Sequence, residues 1–319
     1  MARKIHTHEI SDPDVSERSY GIAPPAFRLP DTTRIGGVRL QVSDLVRSVA
    51  YYEQVIGLRV ISGGDPTTLG SSKDARPLVT LQTSQGITHA HRGAFGLYHF
   101  AILLPDRAAL GRFAAHLTEN GVRVGAADHL VSESLYLWDP DGLGIEVYAD
   151  RPQNSWRRNG RELAMTTEAL DISNVIAAGR GIAWDGTPPG TTMGHVHLSV
   201  GSLEVAEDFY HRALGFDKTV WSYPGALFLA AGGYHHHLGT NIWSPGPSPS
   251  PDQAQLLEWE LVVPSQDDVV AAGRSLQAAG YASERTGDGV TVRDPWGTRI
   301  HIRKKPVLAY ESPPNSQSR

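Results

Sequence analysis

The sequence predicts an α+β protein built from four tandem modules, each with a strand, a helix and about three further strands. The first observation is an internal repeat: residues 35–58, IGGVRLQVSDLVRSVAYYEQVIGL, align without a gap with residues 193–216, MGHVHLSVGSLEVAEDFYHRALGF. The second is that residues 97–148 resemble residues 257–302. A fixed order of short strands and single helices, repeated along the chain, is typical of an α+β architecture.

Each copy of the first repeat contains a strand followed by a helix. At the start of each copy, every second residue is apolar. These residues are Val38, Leu40 and Val42 in the first copy, and Val196, Leu198 and Val200 in the second. This alternation predicts a half-buried strand. A polar turn and a helical stretch follow. Gly57 and Gly215 stand where the C-terminus of a helix favours a left-handed residue.

The second pair of segments adds a strand, a helix and a hairpin. The strands are predicted in LYHFAILLP, which begins at residue 97, and in LEWELVVP, which begins at residue 257. The helices are predicted near 106–120 and 266–279. Asp-Pro-x-Gly turns at 139–142 and 294–297 predict hairpins, because these residues favour tight turns between strands.

The predicted modules cover residues 34–83, 97–149, 192–243 and 257–303. We group the first two into one domain, 34–149, and the last two into a second domain, 192–303. Residues 150–191 form a connector between the domains. The segments 1–33 and 304–319 are predicted to be tails.

Composition excludes several classes of function. The chain has 319 residues, 40% hydrophobic and 20% charged, with a net charge of −5. No stretch concentrates Lys and Arg, so a nucleic-acid or anionic membrane surface is not expected. No apolar run is long enough to span a membrane, and the N-terminus lacks the apolar core of a secretory signal. We therefore expect a cytoplasmic protein, and a homo-oligomer is the general expectation for such a protein.

The chain has no cysteine, so thiolate chemistry and cysteine-bound metals are excluded. A metal would have to be held by histidine and carboxylate. Fourteen histidines are present, and three are contiguous at His235, His236 and His237. Composition alone gives only a weak indication of metal chemistry, because surface histidines would produce the same count.

Several phrases resemble the vicinal oxygen chelate superfamily. They are GLYHFAILLPDR, DHLVSESLYLWDPDGLGIEVYADRP, GHVHL and AGGYHHHLG. Four modules in tandem resemble the type I extradiol ring-cleaving dioxygenases, specifically the Bacillus-type branch of the catechol 2,3-dioxygenases. The resemblance covers about residues 35–303. It implies four βαβββ modules forming two paired cup-shaped half-barrel domains.

The resemblance also implies a metal site. In this superfamily the ligands lie on the first and last strands of the modules and face into a cup. Module two offers His99 and Glu146 at these positions, and module three offers His195. Two imidazoles and one carboxylate are the ligand set of non-haem Fe(II) oxygenases, and Mn(II) is an alternative. We therefore expect modules two and three to share a cup, within one chain or across a dimer.

Modules one and four depart from the pattern of the family. Gly37 occupies the ligand position on the first strand of module one, and Glu258 occupies it in module four. The last strand of module four carries His301 where the family has glutamate. These two modules are therefore predicted to form a degenerate counterpart without a metal.

The match to the family places further residues near the metal. His236 is predicted to handle protons, and Tyr136 and His129 are predicted to contact a substrate oxygen. His197 and Trp243 are candidates for substrate contacts. Each residue also has a structural alternative.

In that alternative, His99 and His195 are buried strand histidines satisfied by hydrogen bonds, and Glu146 is a solvated strand residue. Tyr136 is then a core residue, His129 a loop residue, and the three contiguous histidines a surface hairpin. For His99, His195 and Glu146, the metal site is favoured over this structural alternative, because all three stand at ligand positions of their modules.

Three classes of function remain open. The leading hypothesis is an Fe(II)-dependent extradiol dioxygenase that cleaves the ring of a catechol-type substrate with O2. The second is a metal-dependent lyase or thiol transferase of the glyoxalase or fosfomycin-resistance kind. The third is a non-enzymatic protein that binds a small molecule, and its relatives typically lack the metal ligands. The fold alone does not decide among them, because this scaffold hosts many activities.

Overall fold

The computed structural model describes residues 20–72, 74, 76–91, 93–244, 246–287 and 289–305. Within this part of the chain the four predicted βαβββ modules are all present, which confirms the α+β fold class. Most of the two predicted tails lies outside the described residues. No helix in the described part is long and apolar enough to cross a membrane.

The first two modules have the same order of elements. Module one contains β1 (Arg34–Gln41), α1 (Leu45–Tyr51) with a π-helical extension (Tyr52–Ile56), β2 (Arg59–Ser62), β3 (Thr67–Gly70) and β4 (Pro77–Gln82). Module two contains β5 (Gly96–Leu103), α2 (Arg107–Glu119), β6 (Gly125–Asp128), β7 (Ser132–Trp138) and β8 (Gly144–Asp150). Each module therefore places its only helix between the first and second strands.

A connector with little regular structure separates the two halves. It contains a 3₁₀ turn (Gln153–Ser155), β9 (Arg158–Asn159), β10 (Glu162–Leu163) and α3 (Ile172–Ala178). Strands β9 and β10 pair only with each other, as a two-stranded sheet. The two connector strands therefore do not extend the sheets of the modules.

Modules three and four repeat the pattern. Module three contains β11 (Thr192–Ser199), α4 (Leu203–Ala206) with a π-helical extension (Glu207–Ala213), β12 (Asp217–Val220), β13 (Ala226–Ala230) and β14 (Leu238–Asn241). Module four contains β15 (Gln255–Val263), α5 (Gln266–Ala278), β16 (Ser283–Thr286), β17 (Gly289–Arg293) and β18 (Arg299–Lys304).

Local sequence explains where the helices begin and end. The carboxylate of Asp106 accepts a hydrogen bond from the Ala109 backbone N–H at 2.7 Å and so caps α2. Ser265 and Asp268 form a capping box at the start of α5. Gly57 and Gly215 have φ angles of 84° and 98°, in the left-handed region that the sequence predicts for them.

The modules pair across the two halves of the chain. One eight-stranded sheet has the order β12-β13-β14-β11-β5-β8-β7-β6 and combines modules two and three. We call it the 2–3 sheet. The other has the order β16-β17-β18-β15-β1-β4-β3-β2 and combines modules one and four. We call it the 1–4 sheet.

This pairing corrects the grouping of consecutive modules into domains, because each sheet takes one module from 34–149 and one from 192–303. The sequence boundaries of those two segments stay a prediction. The expectation that modules two and three share one cup is confirmed, and the pairing occurs within a single chain. In each sheet the first strands of the two modules lie side by side and antiparallel.

One hydrophobic core joins the two sheets. It includes buried residues from both, among them Leu40, Phe100, Val196 and Trp259. The helices of modules one and three each contact the hairpin turn of the following module. In each case a tyrosine hydroxyl of the helix donates a hydrogen bond to the aspartate of the turn. Burying this much apolar surface is the main driving force for folding, and it fixes the two sheets relative to each other.

Gly194, next to His195 on β11, provides a test of this packing. A Cβ at position 194 would overlap the hydroxyl of Tyr148 and lie 2.6 Å from its Cζ, and the Tyr148 ring is fully buried. Gly194→Ala is therefore expected to lower the free energy of unfolding by about 1–3 kcal/mol, as overpacking does. Chemical denaturation measures this change.

Gly63→Ala is the matched control. A Cβ at position 63 meets no atom within 4 Å, so this variant is expected to stay within about 1 kcal/mol of the wild type. Equal stabilities for the two variants would contradict the tight approach of β11 to Tyr148.

Candidate metal centre

The register of three adjacent strands brings the predicted ligands together. Ala101 of β5 pairs with His195 of β11 on one side and with Glu146 of β8 on the other. His99 lies two residues before Ala101 on the same strand, and residues two apart share a face of a sheet. All three side chains therefore project from the same face of the 2–3 sheet.

The donor atoms of these three side chains converge on one point. The Oε2 atom of Glu146 lies 3.0 Å from Nε2 of His99 and 3.1 Å from Nε2 of His195. The two Nε2 atoms are 3.4 Å apart. Metal–ligand bonds of about 2.1 Å that meet at right angles separate their donors by about 3.0 Å. The spacing therefore fits three ligands on one face of an octahedral metal.

The protonation states also suit a metal ligand set. Burial lowers the pKa of His195 to about 4, so its ring is neutral near neutral pH. Burial raises the pKa of Glu146, but the neighbouring rings of His195 and His99 outweigh burial and hold that pKa well below its ordinary value. The hydroxyl of Ser134 donates to the other carboxylate oxygen of Glu146 at 2.6 Å, which orients the carboxylate.

The 1–4 sheet has no such cluster in its described residues. Glu258, at the position equivalent to His99, forms an ion pair with Arg299 at 3.1 Å. His301, at the position equivalent to Glu146, lies 3.2 Å from the hydroxyl of Thr291. In the part of the chain that the structure describes, the His99–Glu146–His195 set is the one group able to hold a metal. A degenerate role for modules one and four therefore stays a prediction.

His129 and Tyr136 form a hydrogen-bonded pair beside the cluster. Nδ1 of His129 lies 2.7 Å from the carbonyl oxygen of Thr166, which can only accept. In the neutral ring the proton is then on Nδ1, and Nε2 accepts from the Tyr136 hydroxyl at 2.6 Å. Burial raises the pKa of Tyr136 well above its ordinary value, and Glu146 raises it further, so the hydroxyl keeps its proton.

His236 lies at the inner end of a second chain of hydrogen bonds. Its ring lies against that of His195, with centroids 4.1 Å apart. Its Nδ1 is 2.7 Å from Nδ1 of His235, whose Nε2 is 2.9 Å from Oδ1 of Asp150. The carboxylate only accepts, so His235 donates to Asp150 and accepts from His236. In the neutral rings, Nε2 of His236 therefore carries a lone pair.

The orientation of His235 corrects one expectation from strand alternation. Alternation predicts that His235 and His237 face away from His236. Residues 234–237 lie before β14 in irregular backbone, so alternation does not apply to them. His235 instead contacts His236 directly, while Nδ1 of His237 accepts from the Ala231 backbone N–H at 3.2 Å.

A cavity of about 400 Å³ lies over the cluster. Its lining contains two of the candidate ligands, His99 and Glu146, and all five other candidate residues predicted from the sequence. These are His129, Tyr136, His197, His236 and Trp243. His197 is buried, with ring centroids 5.0 Å from His99 and 5.5 Å from Trp243. The structure thus gathers the predicted residues around one cavity.

The connector covers one side of this cavity. Met165, Thr166 and Thr167 follow β10 and line the cavity. The hydroxyls of Thr167 and Tyr223 are 2.8 Å apart, so the connector is joined to the loop between β12 and β13. The connector therefore contributes both a wall of the cavity and the carbonyl that orients His129.

Sequence reasoning missed several residues of this site. Asp150 could have been found, because Glu146, Tyr148 and Asp150 alternate along β8 and share one face. Ser134 could have been found by the same rule from Tyr136. No sequence pattern indicated Thr166 or Tyr223, because neither belongs to a periodic element of the modules.

Comparison with known proteins identifies the family. The chain belongs to the Glyoxalase/Bleomycin resistance protein/Dioxygenase superfamily, whose family model matches residues 34–147 and 192–302. This confirms the family that the sequence motifs predict. A protein of Bacillus subtilis (strain 168) named catechol-2,3-dioxygenase is 41% identical over 271 residues, which cover 83% of this chain and 95% of that protein.

Two solved structures show the same fold. A putative dioxygenase from Bacillus subtilis superposes with a TM-score of 0.64 at 14% identity, over 88% of this chain and 87% of the other. Glyoxalase I from Zea mays superposes with a TM-score of 0.53 at 17% identity, over 85% and 92% of the two chains. At these identities the likeness concerns the fold alone.

Proposed function

We propose that the protein is an Fe(II)-dependent extradiol dioxygenase that cleaves the aromatic ring of a catechol-type substrate with O2. The observation that carries this proposal is the converging set of two histidines and one glutamate at the base of a cavity. This donor set, with open positions on the opposite side, is used by non-haem Fe(II) oxygenases. The 41% identity to a protein named catechol-2,3-dioxygenase supports the reaction class.

His99, His195 and Glu146 would hold the metal. When bound, Fe(II) would stabilise the anionic form of the diol and supply a redox-active centre between the diol and O2. Mn(II) is compatible with the same ligands, so the choice of iron follows from the reaction class. An imidazole that binds a metal is neutral, so as ligands the carboxylate and the two imidazoles carry one negative charge in total, which favours a divalent cation.

Tyr136 and His129 are proposed to orient one substrate hydroxyl. Because the Tyr136 hydroxyl donates a hydrogen bond to His129, its oxygen can accept a hydrogen bond from the substrate. The Thr166 carbonyl holds this direction by fixing the proton of His129 on Nδ1. The pair therefore favours a substrate that still carries one protonated hydroxyl.

His236 is proposed to act as the acid and base of the reaction. In the neutral form its Nε2 can take a proton, because Nδ1 donates to His235. Asp150 accepts from the other side of His235 and so fixes the direction of this chain of hydrogen bonds. A catechol must lose a proton before ring cleavage, and a later step must return one.

The proposal is tested by O2 consumption. Protein reconstituted anaerobically with Fe(II) is expected to consume one O2 per catechol and to form a ring-opened product with a new visible absorbance. Activity is followed with an oxygen electrode and a spectrophotometer. Protein that holds one metal per chain but consumes no O2 with any diol would contradict the proposal. A glyoxalase-type lyase, a thiol transferase or a binding protein would then be the remaining classes.

A further inference from the structure

We propose that the cavity selects an uncharged catechol with an apolar substituent on its ring. This inference rests on the proposed ring cleavage and adds the chemical class of the substrate. Two observations carry it: the charges that line the cavity, and the row of aromatic rings that leads outward from the metal cluster.

The lining offers no partner for an anionic substituent. Among the described residues that line the cavity, none is Lys or Arg, and the carboxylate present is the ligand Glu146. A carboxylate on the substrate ring would lose water without gaining a positive partner, and this loss is strongly unfavourable. Acidic catechols such as 3,4-dihydroxybenzoate therefore fit poorly.

A row of aromatic rings extends from the metal cluster toward the surface. The ring centroid of His197 is 5.0 Å from that of His99. The centroid of Trp243 is 5.5 Å from that of His197, and the centroid of Tyr223 is 6.3 Å from that of Trp243. A catechol whose hydroxyls face the cluster occupies the inner part of this row. Its ring substituent then lies against Trp243 and Tyr223, which present apolar faces.

The exposed aromatic residues agree with this direction. In the described part of the chain three aromatic side chains count as exposed, and they are Tyr98 at 43%, Trp138 at 61% and Trp243 at 42%. All three line this cavity. Exposed apolar side chains gathered at one opening are typical of a site for an apolar ligand.

The size of the cavity also exceeds what a bare ring needs. Its volume of about 400 Å³ lies in the range of about 300–1,000 Å³ that holds drug-sized ligands. Met165 from the connector and Phe228 from β13 add apolar surface to the lining. A substituent that fills this space gains about fourfold in binding for each buried methylene.

The test compares three diols with the Fe(II)-loaded protein: catechol, its propyl derivative 4-propylcatechol, and 3,4-dihydroxybenzoate. The propyl derivative is expected to be turned over with a kcat/KM at least about tenfold higher than that of catechol. The acid is expected to be turned over with a kcat/KM at least about tenfold lower than that of catechol. Dissociation constants measured without O2, by quenching of tryptophan fluorescence, should follow the same order.

Two variants test the cavity wall. Trp243→Ala is expected to reduce the preference in kcat/KM for the propyl derivative over catechol by about tenfold, because it removes the apolar contact. Met165→Arg is expected to raise the preference for the acid over catechol, because it supplies a cation. Val46→Ala, which changes an apolar side chain on α1 that is 81% exposed and outside the cavity, should leave both preferences unchanged.

Each outcome separates this inference from the proposed function. Equal kcat/KM for the three diols would overturn the selectivity and leave ring cleavage intact. If the propyl derivative bound tightly and no diol were cleaved, the function would be overturned and the selectivity of the cavity would stand. If Trp243→Ala changed the oligomeric state and left the substrate preference unchanged, the exposed rings would belong to a subunit interface and the inference would be wrong.

Discussion

Glu146→Ala is expected to bind less than about a tenth of the metal that the wild-type chain binds, and to lose at least about 10³-fold in kcat/KM for catechol. The carboxylate is the one negatively charged donor of the cluster, and its Oε2 lies within 3.1 Å of both histidine donors. Without it, two neutral imidazoles would have to hold a dication alone. Metal content is measured by elemental analysis after gel filtration, and activity by O2 uptake.

His301→Ala is the matched control for this variant. His301 occupies the position equivalent to Glu146 in the 1–4 sheet, where it contacts Thr291 instead of other ligands. The variant is expected to keep the metal content and the kcat/KM of the wild type. If Glu146→Ala kept one metal per chain while His301→Ala lost it, the metal would lie in the 1–4 sheet and the assignment would be wrong.

His236→Ala is expected to lower kcat for catechol by about 10²–10⁴-fold while the protein keeps its metal. The reason is that His236 lines the cavity with an Nε2 lone pair, and its ring is held in place by the chain through His235 to Asp150. Its ring contacts the ligand His195 but is not part of the donor cluster. Steady-state kinetics and elemental analysis, performed on the same sample, separate the two effects.

His237→Gln is the matched control for the acid–base role. His237 is the next residue and is equally buried, but it does not line the cavity. Glutamine can still accept from the Ala231 backbone N–H, as His237 does. This variant is expected to keep kcat within about threefold of the wild type, as a change away from the reacting groups should. A His236→Ala enzyme with the kcat of the wild type would show that protons move by another route.

The candidate metal ligands could be predicted because each stands at a repeated position. His99 and His195 occupy the same kind of strand position in modules two and three, and Glu146 follows an Asp-Pro-x-Gly turn on the last strand. Period-two alternation then assigns each side chain to a face of its strand. The structure brings these three together, while the catalytic roles of His236, Tyr136 and His129 stay predictions.

Local sequence patterns were enough to predict the modules, the approximate helix positions and the candidate donor set. These depend on local physical chemistry: side-chain alternation, the Asp-Pro-x-Gly turns at 139–142 and 294–297, and the left-handed glycines at 57 and 215. Each of these signals acts over a few neighbouring residues. A single chain is therefore enough to read them, without knowledge of what lies next to each element in space.

The pairing of the modules and the remaining contacts of the site depend on elements that are distant along the chain. Ala101 sets the register of three strands that are far apart in sequence, and Asp150 reaches His235 across more than eighty residues. The connector supplies the Thr166 carbonyl to His129 without any periodic signal of its own. Such contacts depend on long-range packing of whole elements, which leaves no local pattern in the sequence that could predict them.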